Sequence, residues 1–341
     1  MRIYFGTNRN PDNVAAPTSF GSHFSPNGLT DLRFGWADFA GNSLKKYTLN
    51  VAPEKIAVDP AKAAVGDLSD QILGSDQVFD MVREEMKSGS CDCVISIHGF
   101  DYTFDEAIRR TAELKRYYGD RPMVWFVFTW PSDGSLLPFK AYASDRDDAR
   151  ASGVALGRGV LKLVDFLHGT RPEDFCAQSL HIVAHSMGNY ALRWAVQAIK
   201  AQSAMRRLLE QVLLFAADED DDTFEFDFKL QALVDLARRV TVYCNAEDKA
   251  LTVSDVTKGN PDRLGAGGPR NSRALPDKVS VVKVEPVLKF ADDATGHQYY
   301  RCNDRVRDDA LAVFKGVAST DVPNRDYVPE TRTYRLSRTR R

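Results

Sequence analysis

A chain of 341 residues can hold one large α/β domain or two ordinary ones, and it can bury a sizeable core without disulfides or metals. Hydrophobic residues at 43% and charged residues at 27% are ordinary for a globular protein, and a formal net charge of −2 gives no overall pull toward nucleic acid or an anionic membrane. Five cysteines, at 91, 93, 176, 244 and 302, are odd in number and form no C-x-x-C pair, so they read as reduced thiols. The stretch from Met1 to Asn8 lacks the apolar region and small-residue cleavage site of a secretory signal, which points to the cytoplasm. The longest apolar run, Val124 to Trp130, is too short to span a bilayer.

In chain order, Arg2 to Phe5 and Leu44 to Val51 read as strands, separated by a Pro/Gly/Asn-rich stretch from Asn10 to Asn27. Gln71 to Lys87 has the spacing of an amphipathic helix. Cys93 to Ile97 is an apolar strand ending in His98-Gly99-Phe100. Thr103-Phe104-Asp105-Glu106 then fits a capping box that opens a helix to Tyr118. Pro122 to Trp130 is a second near-continuous apolar strand, and strands of this kind need cover on both faces. A helix from about Asp145 to His168 leads to the strand Leu180 to Ala184. Strands follow at Gln211 to Ala217, Val240 to Cys244 and Val279 to Val284, with a closing helix from Asp304 to Phe314. This alternation predicts a doubly wound, mostly parallel sheet with helices on both faces. The expected organisation is one domain over residues 1–318, with 1–90 as amino-terminal strands and helix and 91–318 as the core. An Arg-rich tail over 319–341 is expected to be flexible and dispensable for chemistry.

The most informative stretch is Ala184-His185-Ser186-Met187-Gly188. A strand turns there into the helix formers Ala191 to Val196, which leaves the Ser186 hydroxyl on a strained corner beside free helix N–H groups. This is the G-x-S-x-G elbow with Ala184 in place of the first Gly. A Ser nucleophile needs a base, and the base needs a partner that fixes its tautomer. The strand ends of a doubly wound sheet supply Ser186, then Asp248, then His297. Asp218, Asp220, Asp221 and Asp222, after the preceding strand, are the alternative source of the acid. A tetrahedral intermediate needs two N–H donors for its oxyanion, and Met187 and Phe100 are placed to offer them.

These motifs resemble the α/β-hydrolase superfamily, through His98-Gly99-Phe100, the elbow and the late Gly296-His297. The resemblance narrows to a bacterial group of largely uncharacterised esterase/lipase-like serine hydrolases. It is carried by Phe5-Gly6-Thr7-Asn8-Arg9, Leu32-Arg33-Phe34-Gly35 and Trp130-Pro131-Ser132-Asp133-Gly134. Tyr142 with Asp145, Val242-Tyr243 leading to Asp248, and Arg263-Leu264-Gly265 extend it. It implies an α/β-hydrolase fold in which Ser186, Asp248 and His297 act as nucleophile, orienting acid and general base. The expected activity is cleavage of a small-molecule carboxylic ester through an acyl-enzyme. A partner-regulated hydrolase effector and a non-catalytic interaction module on the same fold are the alternatives.

Other patterns point away from cofactors. Gly153, Gly157 and Gly159 lie within a helix rather than after a strand, so they suit close helix packing and not a nucleotide. Gly265-Ala266-Gly267-Gly268 lacks the Lys-Ser/Thr of a P-loop, and the acidic run lacks the spacing of a Ca²⁺ loop. No cofactor, metal or nucleic-acid partner is therefore expected, and oligomeric state leaves no signal. The segments Ser132 to Arg150 and Ser254 to Asp277 are expected to border the pocket.

Overall fold

The computed structural model describes residues 1–57, 71–132, 138–168, 176–252, 262–289, 291 and 293–338. An eleven-stranded sheet forms its centre. In chain order the strands are β1 (Arg2–Thr7), β2 (Arg33–Phe39), β3 (Tyr47–Val51), β4 (Cys93–Ile97), β5 (Val124–Thr129) and β6 (Leu180–His185). They continue as β7 (Leu209–Phe215), β8 (Ala237–Cys244), β9 (Val279–Lys283), β10 (Arg325–Val328) and β11 (Thr333–Leu336). Across the sheet the order is β10-β11-β9-β8-β7-β6-β4-β5-β1-β2-β3. Neighbours from β11 to β1 pair in parallel, whereas β2, β3 and β10 add antiparallel edges. Two short antiparallel ribbons lie outside it, one joining Arg9–Pro11 to Phe20–Phe24 and one joining Lys55–Ala57 to Gln71–Leu73.

The buried strands alternate between two apolar layers. Cys93, Ile95, Ile97, Phe126, Phe128, Ile182 and Ala184 pack with helices α1 (Gly74–Gly89), α3 (Pro138–His168) and α4 (Gly188–Ala201). Val94, Trp125, Val127 and Val183 pack with α2 (Phe104–Tyr117) and α5 (Asp304–Phe314). Strands apolar on both sides thus read as continuous runs because both sides are covered. Helix α2 starts at the expected capping box: the Thr103 hydroxyl accepts from the Glu106 N–H, and Glu106 Oε2 accepts from the Thr103 N–H. Gly153 and Gly157 bring α3 against α4, since a Cβ on Gly153 would lie 2.3 Å from Trp194 Cβ and one on Gly157 3.0 Å from Ala195 O. Among the described residues no helix is long and apolar enough to cross a membrane.

Several boundaries differ from expectation. Helix α1 begins only after the short strand Gln71–Leu73, and α3 begins at Pro138 rather than near Asp145. Strand β2, between the two strands expected near the amino terminus, has no counterpart in the sequence reading. The larger correction concerns the expected flexible tail, which carries β10 and β11 and extends the sheet. Only residues 339–341 of it lie outside the described residues. Strand pairing and the burial of Tyr334 and Leu336 hold these strands, together with one buried ion pair. Arg325 Nε and Nη2 donate to Asp309 of α5 at 2.6 and 2.7 Å, and Tyr243 Oη donates to the same carboxylate at 2.6 Å. Asp309 is 3% exposed and so depends on those donors. Breaking such a pair from one side leaves a buried charge, at a cost of about 3–5 kcal/mol. Arg325→Ala is therefore expected to lower the unfolding free energy by about that amount in urea titrations. A loss below about 1 kcal/mol would show that strand pairing and burial alone fasten the carboxyl-terminal strands.

His98 joins the ends of β4 and β5. Its Nδ1–H donates to Gly99 O at 2.9 Å, Nε2 accepts from the Trp130 N–H at 3.2 Å, and its ring stacks on Trp130. Burial, reinforced by the nearby Arg9 charge, lowers its pKa to about 3, so the ring is neutral. The folded state thus binds this proton far more weakly than the unfolded chain, whose histidines titrate near 6.5. The stabilisation is complete above about pH 6.5 and is lost as the pH falls from there toward 3. For this residue alone, lowering the pH from 7.5 to 5.5 is expected to reduce the unfolding free energy by about 1.4 kcal/mol. Urea titrations at the two pH values check this, and equal stabilities would contradict a neutral buried His98.

Candidate active site

Strand β6 ends at His185 and α4 begins at Gly188, so Ser186 occupies the corner between them. Its φ of 52° is left-handed, a conformation that costs a non-glycine residue about 1–3 kcal/mol unless its surroundings hold it. Here the Ser186 N–H donates to Phe215 O at 3.1 Å, and its carbonyl accepts from the N–H groups of Asn189 and Asp218 at 3.0 and 3.2 Å. Close approach explains the small neighbours. A Cβ on Gly99 would lie 2.9 Å from Ser186 Cβ, and one on Gly188 would lie 2.5 Å from His98 O. The loop after β4 is thereby set against the serine.

Asp248 and His297 come together from the loops after β8 and β9. His297 Nδ1–H donates to Asp248 Oδ2 at 2.7 Å. The other carboxylate oxygen accepts from the N–H groups of Ala250 and Leu251, both at 3.0 Å. Asp248 is fully buried, and the donors around it hold the carboxylate in one orientation. With its proton on Nδ1, a neutral His297 keeps its lone pair on Nε2. His185, next to Ser186, donates from Nε2 to His297 O at 3.1 Å and has its ring 4.7 Å from that of His297. Burial holds the His185 pKa well below its usual value, so it serves as a neutral strut between elbow and histidine loop. No hydrogen bond joins Ser186 Oγ to His297 among the described residues. Catalytic contacts of this kind often tighten only when substrate binds.

The other two expected site residues flank the serine. Met187 is the residue before α4, fully buried, and Phe100 follows Gly99. Among the described residues neither N–H donates to an acceptor in the chain. The Met187 N–H is thus left unpaired in a buried residue, which is uncommon, and the Phe100 N–H is left unpaired in a half-buried one.

The acidic run has a different environment from the solvated loop that its composition suggests. Asp218 and Glu219 are buried, and Asp218 carries the hydroxyl of Tyr142. Arg263, fully buried, lies 3.4 Å from Asp218 and donates to Asp220 at 2.8 Å, while Lys229 binds Asp220 and Asp222. These acids are neutralised by cations of their own and do not reach His297, which bonds to Asp248. From the expected border at Ser254 to Asp277, Arg263 meets the acidic run and Gly265 bonds to Ala217 and Asn245. Residues 253–261 and 133–137 of the two border segments lie outside the described residues.

Three supporting residues carry no role in the sequence reading. Tyr299 Oη accepts from the Ala216 N–H at 2.8 Å and donates to Tyr243 O at 2.9 Å, which pins the His297 loop to the ends of β7 and β8. Tyr300 stacks on His185 with ring centroids 4.4 Å apart. Arg9, fully buried, donates to Thr129 Oγ1, Gly21 O and Tyr102 O at 2.9, 3.1 and 2.6 Å. Nothing in a lone arginine or tyrosine signals burial in a sequence. Among the described residues no group of His, Cys, Asp and Glu side chains is arranged to hold a metal.

Comparison with known proteins gives one family and a set of distant structures. No curated protein matches the chain. A cutinase of Trichoderma reesei in complex with a C11Y4 phosphonate inhibitor aligns at 12% identity and a TM-score of 0.27, covering 70% of this chain and 88% of the cutinase. An uncharacterized protein from Pseudomonas aeruginosa aligns at 10% identity and a TM-score of 0.24, covering 72% of this chain and 42% of that protein. Scores this low carry no argument about fold or activity. The family match is different in kind, because its model spans residues 76–313, from α1 through most of α5. With the parallel sheet and the elbow in place, the chain belongs to the family described as "Alpha/beta hydrolase of unknown function (DUF900)".

Proposed function

We propose that this α/β hydrolase cleaves a small carboxylic ester through a covalent acyl-enzyme. The observation that carries the reading is the 2.7 Å bond from His297 Nδ1–H to the buried Asp248, with the strained Ser186 one residue from the strut that holds His297. In this mechanism His297 Nε2 takes the proton of Ser186 Oγ as that oxygen attacks the ester carbonyl. The carbonyl oxygen becomes an oxyanion held by the N–H groups of Met187 and Phe100. His297 then returns the proton to the departing alkoxide, which leaves as an alcohol. Water attacks the acyl-enzyme with His297 again as base, releasing the acid and restoring Ser186. Asp248 keeps the imidazole in the Nδ1–H tautomer and stabilises its cation. The cycle as written needs no cofactor.

An ester with an apolar acyl or alcohol part suits this reading, since Phe100, whose N–H is the expected donor, has its ring 5.9 Å from that of Tyr142. Amide and thioester substrates use the same triad, and an activity screen across the three leaving groups separates them. A non-catalytic module on this fold would neither turn over esters nor react at Ser186.

Two outcomes test the reading. An organophosphonate is expected to modify the intact protein once, at Ser186, with modification read by mass spectrometry of peptides; label that persists in Ser186→Ala refutes the nucleophile. Asp248→Asn should remain folded by circular dichroism yet lose roughly ten-thousandfold in kcat on a chromogenic ester, the scale seen when a triad acid becomes an amide and the imidazole tautomer is wrong. Single Asn substitutions at Asp218, Asp220 and Asp222 act on stability instead. If one of them abolishes turnover in folded protein while Asp248→Asn does not, the acid is misassigned.

A further inference from the structure

The loop that offers the Phe100 N–H is built unlike a free turn. Gly99 to Tyr102 is secured at each peptide around Phe100, while the Phe100 N–H itself has no acceptor among the described residues. Gly99 O takes the His98 Nδ1–H at 2.9 Å. The Asp101 N–H donates to Ser132 Oγ at 2.8 Å, and the Tyr102 N–H lies 3.3 Å from the same oxygen. Tyr102 O accepts from Arg9 Nη2 at 2.6 Å. Asp101 has a φ of 60°, so this turn is also held in a conformation that an L-residue leaves readily when its restraints go.

Ser132 is 1% exposed, and its hydroxyl faces three possible partners. A hydroxyl has one proton and two lone pairs. Asp145, fully buried on α3, takes the proton, because Ser132 Oγ–H donates to Asp145 Oδ2. That commits both lone pairs to the two N–H groups of the turn. Asp145 Oδ2 also stands 3.4 Å from the Asp101 N–H, and its negative charge is felt by buried Arg9 on the other side of the turn. Ser132 follows β5, Asp145 belongs to α3 and Arg9 follows β1, so three separate elements converge on four residues of loop.

We propose that Ser132 and Asp145 are positioning residues for the reaction: they fix the Gly99–Tyr102 turn so that the Phe100 N–H points at the oxyanion before substrate arrives. The inference rests on the serine-hydrolase reading above. A peptide group is planar, so the Phe100 N–H points opposite Gly99 O, which His98 holds, and the peptide can turn only if the next one, held by Ser132 through the Asp101 N–H, turns with it. Asp145 orders the hydroxyl, the hydroxyl orders the Asp101 and Tyr102 N–H groups, and the turn then cannot rotate its free donor away from Ser186. Donors fixed in advance need not reorganise as charge develops, which is why their placement acts on the transition state more than on the bound ester.

The test compares Ser132→Ala and Asp145→Asn with the wild-type full-length protein. Each is titrated to completion with an organophosphonate, and kcat and KM for p-nitrophenyl acetate are then expressed per titrated Ser186. The expected result for Ser132→Ala is a kcat about 10- to 100-fold lower with KM within about threefold, below the loss from deleting an oxyanion donor outright. Asp145→Asn, which keeps the shape but removes the charge, should fall between it and wild type. The pH at half-maximal kcat/KM should stay where it is in wild type, because the His297–Asp248 pair is untouched. If kcat per titrated site in Asp145→Asn and any folded Ser132→Ala stays within twofold of wild type, the two residues serve folding alone and the proposal is overturned. Wild type that cannot be titrated at Ser186 overturns the hydrolase reading itself, which a loss confined to the variants does not.

Discussion

The left-handed corner at Ser186 constrains everything around it. A side chain can be presented there only if the strand before it is fixed, the helix after it starts at once, and the neighbouring loop carries no Cβ at the closest point. β6 is buried between β4 and β7, so it cannot slide to relieve the strain. Gly188 lets α4 begin against the His98 and Ile97 carbonyls, and Gly99 lets the adjacent loop touch the serine. The strain at Ser186 and the close approach of the Gly99 and Gly188 backbones are therefore two results of one geometry rather than separate features.

The histidine side of the site depends on a second layer of fixed dipoles. His297 sits in a loop, and loops are the mobile part of a fold. This one is held by Tyr299 on the ends of β7 and β8, by Asn245 Nδ2 donating to Gly296 O at 2.8 Å, and by His185 donating to His297 O at 3.1 Å. Gly296 has a φ of 68°, and a Cβ on it would lie 2.5 Å from Asn245 Nδ2, so its glycine serves both the turn and the contact. His185 donates in this way as the neutral Nε2–H tautomer. Its burial against Tyr300 keeps it neutral, and the nearby His297 disfavours a second positive charge.

The parts legible in the sequence are those written as patterns. Continuous apolar runs gave β4, β5, β6 and β7, because strands buried on both faces leave nothing polar to interrupt them. The Thr103–Glu106 capping box marked the start of α2, and the small residues of the elbow marked the corner. What stayed illegible has a physical reason in each case. In β11, Thr333-Tyr334-Arg335-Leu336 buries three residues and exposes only Arg335, but the arginines on either side made the segment look like a solvated tail. Around Asp218 to Asp222 the density of carboxylates suggested water, whereas Arg263 and Lys229, distant in sequence, supply the charges that let them be buried. Long-range ion pairs leave no local spacing to read.

Three buried arginines share that property and divide the work of holding the edges of the molecule to its centre. Arg325 fastens the carboxyl-terminal strands to α5, Arg263 ties the loop after β8 to the acidic run, and Arg9 links the first strand's end to the loop beside Ser186. Arginine suits this task because its guanidinium reaches several acceptors in fixed directions without losing its proton. The partners differ in a telling way. Arg325 and Arg263 meet carboxylates directly, so charge is cancelled where it is buried. Arg9 instead spends its hydrogen bonds on Thr129 Oγ1 and two carbonyls, and burial lowers its pKa to about 9, with Asp145 the foremost opposing charge. Arg9 thus holds one side of the Gly99–Tyr102 turn through Tyr102 O, and Asp145 holds the other through Ser132. The turn held between them is the one that carries the Phe100 N–H.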